Sequence, residues 1–583
     1  MTRSPQNSVP VEALGRAAAH FEAGRHEPAL AILETILAER PAEPNALHLK
    51  GLIALRDGDP AAAERLIGEA AALVSGNANL IVNLGNARRL QGKLDEALAT
   101  YAEAERLVPD LPAIYLNRGL ALDQAGDFEA AVKAHQRFLT LRPGDRPARL
   151  RLIRSLLALG WFRAALAEAE AGLKQARRDA VMLTLAAEAS ERLAKLAPAI
   201  QYASEALKLA PEHAPALRIW AAASRRTGKF GEVKARLEQL PFERLRPAEA
   251  RILHAELALT LDRLGEADAA FRQFTIQNTL AAEEARARHI DKQSYLDQVE
   301  SLIAGFAPEK VKGFSWLPPL PVEPGHRGAP VFLVGFPRSG TTLLDQILDA
   351  HPDVQVFEER PTLLVVRDAL AAMKGGYPAA LGRLDEAARA GLRGRYFAAL
   401  KAEGAKLDTK IVINKLPLNI IHAGLIARVF PEARFILALR HPADAVLSAF
   451  MQDFQVNASM ANFLTLADTA HLYDRVMTLW GIVRESLPLA VQPVRYEGLV
   501  ADLKGEVMPV LGFLDLPWHA AMADPAAHAK VRGTIRTPSY AQVTEPIYAR
   551  AADRWRRYER QLAPVLPVLA PHIAGFGYGG RAG

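Results

Sequence analysis

Cysteine is missing from all 583 residues of the chain. Its absence excludes disulfide staples, thiol nucleophiles and cysteine-ligated metals, and it suits a reducing cytoplasm. Long apolar runs are missing as well. No stretch reaches the roughly 20 residues that a membrane span needs. The opening MTRSPQNSVPVEALGRAAAHF also lacks the apolar core of about 7–15 residues found in a signal peptide. The expectation is a soluble, cytoplasmic protein without a membrane span. Aromatics are sparse at 7% and are not interleaved with any Lys/Arg block, so a net charge of +6 does not define a nucleic-acid surface. His422, His441 and His471 fit no H-E-x-x-H spacing, and no metal site is expected.

Alanine and leucine abound, and the first half of the chain repeats. Glycines stand at 24, 58, 92, 126 and 160, each 34 residues after the last; Ala194 and Gly228 take the next two slots. A second ladder, Gly51, Gly85 and Gly119, keeps the same step. In the unit at 79–109, Leu80, Leu84, Ala87 and Leu90 lie on one face of a first helix, which Gly92 closes. A second helix presents Leu94, Ala97, Leu98 and Tyr101 before Pro109 stops it. This helix–turn–helix unit resembles the tetratricopeptide repeat. About seven units, in a solenoid domain of residues 1–280, would stack into an all-α superhelix whose concave groove suits a peptide or protein. A charged helical stretch and a Pro/Gly-rich linker, 281–327, separate it from a domain at 328–583.

There the pattern changes to strands alternating with helices, which implies a parallel sheet. Strands are expected at Val331–Val334, Ile411–Asn414, Phe435–Leu439 and Leu489–Val494. The first runs into Gly335-Phe-Pro-Arg338-Ser339-Gly340-Thr341-Thr342 and an apolar helix. Strand, tight loop and helix N-terminus form an anion cradle of backbone N–H groups, to which Arg338 adds a planar cation. The G-x4-G spacing is that of a triphosphate loop, but Thr341 stands where that motif needs lysine. Nor does a carboxylate close the strand at Phe435–Leu439 to hold Mg²⁺; Arg440 and His441 follow it. Both departures point to a cationic, metal-independent site. Downstream lie the carboxylate pair Glu358-Glu359, Lys415 after an apolar strand, and Arg440 with Ser448 about two helical turns further on. Beyond them come Tyr496 and a Thr/Ser/Pro-rich loop holding Ser539, followed by Arg554.

Pro337-Arg-Ser-Gly-Thr-Thr342, Asn414-Lys-Leu-Pro417, Arg440 with Ser448, and Tyr496-Glu-Gly-Leu499 together resemble the sulfotransferases. The longer run PRSGTTLLDQILDAHPDVQVFEE is closer to their tyrosylprotein branch. The resemblance implies a three-layer α/β fold and a loop (Arg338, Ser339, Gly340, Thr341, Thr342) holding the 5′-phosphosulfate of 3′-phosphoadenosine 5′-phosphosulfate. It further implies Glu359 as general base, Lys415 as the charge neutraliser at the sulfonate, and Ser539 hydrogen-bonding near it. Arg440 and Ser448 would hold the 3′-phosphate, Tyr496 would contact the cofactor, and Arg554 would replace a lysine near the nucleotide phosphates. Three departures stand out: Gln452 occupies an arginine position, Arg360-Pro361 follows the glutamate pair where the branch has other residues, and Arg replaces Lys at 554. The expected activity is sulfonate transfer to an acceptor hydroxyl, with a protein tyrosine as one candidate and a glycan, lipid or small molecule as others. The rival readings are a repeat-based interaction scaffold with an inactive second domain, and a nucleoside-phosphate kinase.

Overall fold

The computed structural model describes residues 8–176, 178–312, 314, 327–532 and 551–579. The chain divides into two compact units, Met1–Trp220 and Ala221–Gly583.

Among the described residues the regular structure of the first unit is all helical and follows the repeat. Its helices run in pairs, for example Ala78–Leu90 with Leu94–Leu107, and Pro112–Ala125 with Phe128–Leu141. Leu80, Ala87, Ala97 and Tyr101 are buried as the periodicity requires, whereas Leu90 at the end of its helix is exposed. The second glycine ladder has a steric cause. A Cβ on Gly51 would lie 2.5 Å from Ile67, one on Gly85 would lie 2.4 Å from the Tyr101 ring, and one on Gly119 would lie 2.4 Å from the His135 ring. In each pair a side chain of the second helix fills a notch in the first. The turn position between paired helices takes a left-handed backbone at Gly92 and Gly126, and Ala194 adopts the same conformation with φ of 56°. Repeat geometry therefore overrides a local preference of about 1 kcal/mol.

The second unit opens with further helices, among them Pro247–Arg263, Ala267–Ala287 and Gln293–Gly305. Among the described residues it then builds five strands: β1 Val331–Gly335, β2 Val354–Glu358, β3 Ile411–Lys415, β4 Arg434–Leu439 and β5 Ala490–Arg495. All pairings are parallel, in the order β2-β3-β1-β4-β5. Four strands lie where the apolar runs put them, and β2 was not anticipated. Successive residues of β1 serve opposite faces. Val331 and Leu333 join an aliphatic cluster with Leu344, Ile347 and Val510. Phe332 meets Tyr396, Phe430 and Phe435 on the other side. Apolar cover on both faces makes the sheet the middle of three layers, as a parallel sheet requires. The sequence of connections reverses between β1 and β4, so a crevice opens there at the carboxyl ends of the strands.

Candidate active site

Every strand delivers a chemistry-bearing residue at that carboxyl edge. β1 ends in the loop 336–340 and the helix Thr341–Asp349, whose N-cap is Gly340 with φ of 92°. A Cβ at Gly340 would meet the Tyr496 ring at 2.8 Å, and one at Gly335 would meet the Ala438 carbonyl at 2.6 Å, so both glycines allow close approach. Ser339, Thr341 and Thr342 are buried. Arg338 and Glu359 are non-glycine residues with left-handed backbones, φ 71° and 50°. Such conformations cost about 1–3 kcal/mol and concentrate at functional sites.

One corner of the crevice joins the β1 loop to β4 and β5. Arg338 donates from Nε to Ser448 Oγ at 3.2 Å, and Arg440 donates to the Arg338 carbonyl at 3.1 Å. Arg440 also donates to the Ala551 carbonyl and lies 4.9 Å over the Tyr496 ring. It stands 3.8 Å from Asp444. Among the described residues its Nε is buried without a hydrogen-bond partner. Burial pushes the Asp444 carboxyl up to about 6, with Arg440 and the Trp555 backbone N–H pulling the other way. Burial also pushes the His441 imidazole down. That ring stacks on Trp555 at 4.8 Å.

The other corner lies at β2 and β3. Parallel register sets Glu358 beside Lys415, and the Glu359 N–H donates to the Lys415 carbonyl at 2.7 Å. The Lys415 ammonium is fully buried and lies 3.3 Å from Glu358, 3.3 Å from Glu359 and 3.5 Å from Asp345. Asp345 is a carboxylate that sequence reasoning missed. It sits one turn into the helix after the loop, beside Gln346 and four residues before a second acid, Asp349, so nothing in the sequence set it apart. Glu359 is the most open of the three, with its side chain 32% exposed.

Not every expected residue comes to this edge. Arg554 pairs with the buried Asp262, at 2.9 Å. Ser539 lies outside the described residues. Gln452, in the expected arginine slot, donates to the Asp453 carbonyl. Arg360 pairs with Glu403 at 2.8 Å.

Sheet order, strand-end residues and the loop define a parallel α/β domain with an anion cradle at its topological switch. Comparison with known proteins makes this more specific. Residues 330–520 match the sulfotransferase family, and residues 85–126 and 112–145 match tetratricopeptide repeats. The chain thus joins segments that match tetratricopeptide repeats to a segment that matches the sulfotransferase family. A protein of Aquifex aeolicus (strain VF5) with no characterised function is 27% identical over 320 residues, 53% of this chain and 40% of its own length. Protein-tyrosine sulfotransferase 1 of Danio rerio is 27% identical over 262 residues, 42% of this chain and 72% of its own. The Homo sapiens protein of that name is 27% identical over 276 residues, 43% and 70% respectively. The match therefore spans less than half of the Aquifex relative. Among the described residues no helix is long and apolar enough to cross a membrane.

Proposed function

We propose that the chain transfers a sulfonate from 3′-phosphoadenosine 5′-phosphosulfate to an acceptor hydroxyl. The observation that carries this reading is the joining of Arg338, Ser448 and Arg440 into one cationic corner beside a helix N-terminus. The residues fit such a donor. Arg440 keeps a buried Nε with no partner among the described residues, and the Gly340 cradle has no room for a side chain. A bound donor supplies an activated sulfonate on a phosphate leaving group. Arg338, Ser339, Thr341, Thr342 and the loop N–H groups would hold the phosphosulfate, and Arg440, Ser448 and Tyr496 the 3′-phosphate end. Glu359 would take the acceptor proton on its carboxylate, being the most accessible acid of its cluster. Lys415 would stabilise negative charge growing on the leaving oxygen, a role favoured by its burial.

We favour a protein tyrosine as acceptor, delivered as a peptide or protein bound by the repeats, in the cytoplasm. Support comes from the names of the relatives and from a solenoid built for extended ligands. Against it, Arg360 is held by Glu403, which leaves a glycan, lipid or small-molecule hydroxyl as the second reading.

Calorimetry with adenosine 3′,5′-bisphosphate and turnover with labelled phosphosulfate in host lysate test the reading. Glu359→Ala should lower turnover by about 10²–10⁴-fold yet keep nucleotide affinity. Arg440→Ala should weaken affinity by about tenfold or more, the loss of a charged hydrogen-bonding partner. Equal affinity losses in the two variants would count against these roles. The label's destination, in protein, glycan or lipid, identifies the acceptor class.

A further inference from the structure

The helix Pro247–Arg263 belongs by sequence to the repeats, but the compact unit that holds it also holds the sheet. Near its end lies Asp262, whose side chain is 8% exposed. A carboxylate in the last turn of a helix opposes the helix dipole, and burial adds a desolvation penalty. Neither local helix formation nor apolar packing explains it. Its partners do. Arg554 donates at 3.2 Å and pairs at 2.9 Å, Arg557 donates at 3.1 Å, and the Tyr558 hydroxyl donates at 2.7 Å.

All three partners come from one short segment, and the start of that segment closes the donor corner. The Ala551 carbonyl accepts from Arg440, the Trp555 N–H donates to Asp444 at 2.8 Å, and the Trp555 ring covers His441. Within eight residues, 551–558, Arg554, Arg557 and Tyr558 hold Asp262, Ala551 holds Arg440, which is assigned to the 3′-phosphate, and Trp555 holds Asp444 and His441 beside it. We propose that Asp262 is a positioning residue for the donor: it anchors 551–558 so that Arg440 and its neighbours are preset for the 3′-phosphate. The last repeat hairpin is then part of the donor site rather than an adaptor attached to it. This inference rests on the sulfotransferase reading above.

The test uses the full chain and two nucleotides that differ only in the 3′-phosphate, adenosine 3′,5′-bisphosphate and adenosine 5′-monophosphate. Asp262→Asn should bind the first about tenfold more weakly and the second within about twofold of the unchanged protein. Hydrogen exchange over 551–558 should rise, and Asp262→Glu should recover part of both effects. A general loss of structure would weaken both nucleotides alike, and that result overturns the proposal, as does an unchanged affinity. If the unsubstituted chain binds neither nucleotide, the sulfotransferase reading falls. The anchor is then judged by exchange alone: faster exchange over 551–558 in Asp262→Asn sustains it, and unchanged exchange removes it. Should Asp262→Asn fail to fold, Tyr558→Phe removes a single hydrogen bond from the same carboxylate. It should give a smaller loss confined to the 3′-phosphorylated nucleotide, and no loss there would overturn the proposal.

Discussion

Asp444 occupies the first turn of the helix Pro442–Phe450, where the dipole favours an anion, yet burial raises its carboxyl to about 6. Desolvation wins over both the helix end and Arg440. Between the ordinary value of 3.8 and 6 the folded state binds more protons than the unfolded one, so stability falls as pH rises through that window. Asp444→Asn keeps an acceptor for the Trp555 N–H and removes the buried charge. It should therefore be more stable at pH 8 by up to about 3 kcal/mol, the gain vanishing toward pH 4. Thermal melts at the two pH values check this, and a gain that grows on acidification would contradict it.

At the level of elements, apolar runs bounded by glycine, proline and charge located β1, β3, β4 and β5 to within a residue or so. A parallel strand buried on both faces needs such runs. β2 escaped because it is a five-residue edge strand interrupted by the partly exposed Gln355. The gathering of Arg338, Lys415, Arg440 and Tyr496 at one edge was legible for a topological reason: parallel strands turn all their carboxyl ends the same way. The buried Asp345 beside Lys415 was not, since an acid on a helix carries no sign of what faces it. The helix pairs give an element-scale prediction. Gly85→Ala forces a methyl group against the Tyr101 ring and should cost about 1–3 kcal/mol, read as a lower urea midpoint by circular dichroism.

For the molecule as a whole, sequence composition and compactness draw different lines. The Pro/Gly-rich stretch around 314–330 reads as a linker, but the second compact unit starts at Ala221. Helices on the N-terminal side of that stretch hold the α/β core through Arg475 with Glu300, Lys292 with Asp468, and Asn278 with the Phe450 carbonyl. These partners lie more than 150 residues apart in sequence, beyond what any local pattern encodes. A fragment of residues 221–583 should consequently fold and bind adenosine 3′,5′-bisphosphate. A fragment of residues 328–583 should expose the surfaces beneath the missing helices and aggregate or melt well below it. Equal melting of the two fragments, measured by calorimetry, would show that the helices before 328 contribute nothing to the fold.

The notches of the repeat hairpins imply a rule of exchange. Each notch and the side chain filling it lie 16 residues apart inside one hairpin, so the fit is settled without reference to the neighbouring hairpins. In the fifth hairpin, Arg146–Ala158 with Phe162–Gln175, the corresponding positions are Ile153 and Ala169, the large and small partners reversed, and both remain in one buried cluster. In these four hairpins a large side chain faces a small one, and either helix can supply the large one. Gly51→Ile alone should thus be disruptive, and adding Ile67→Ala should restore most of the lost stability. Sequence drift in this solenoid would then proceed by compensated pairs, one hairpin at a time.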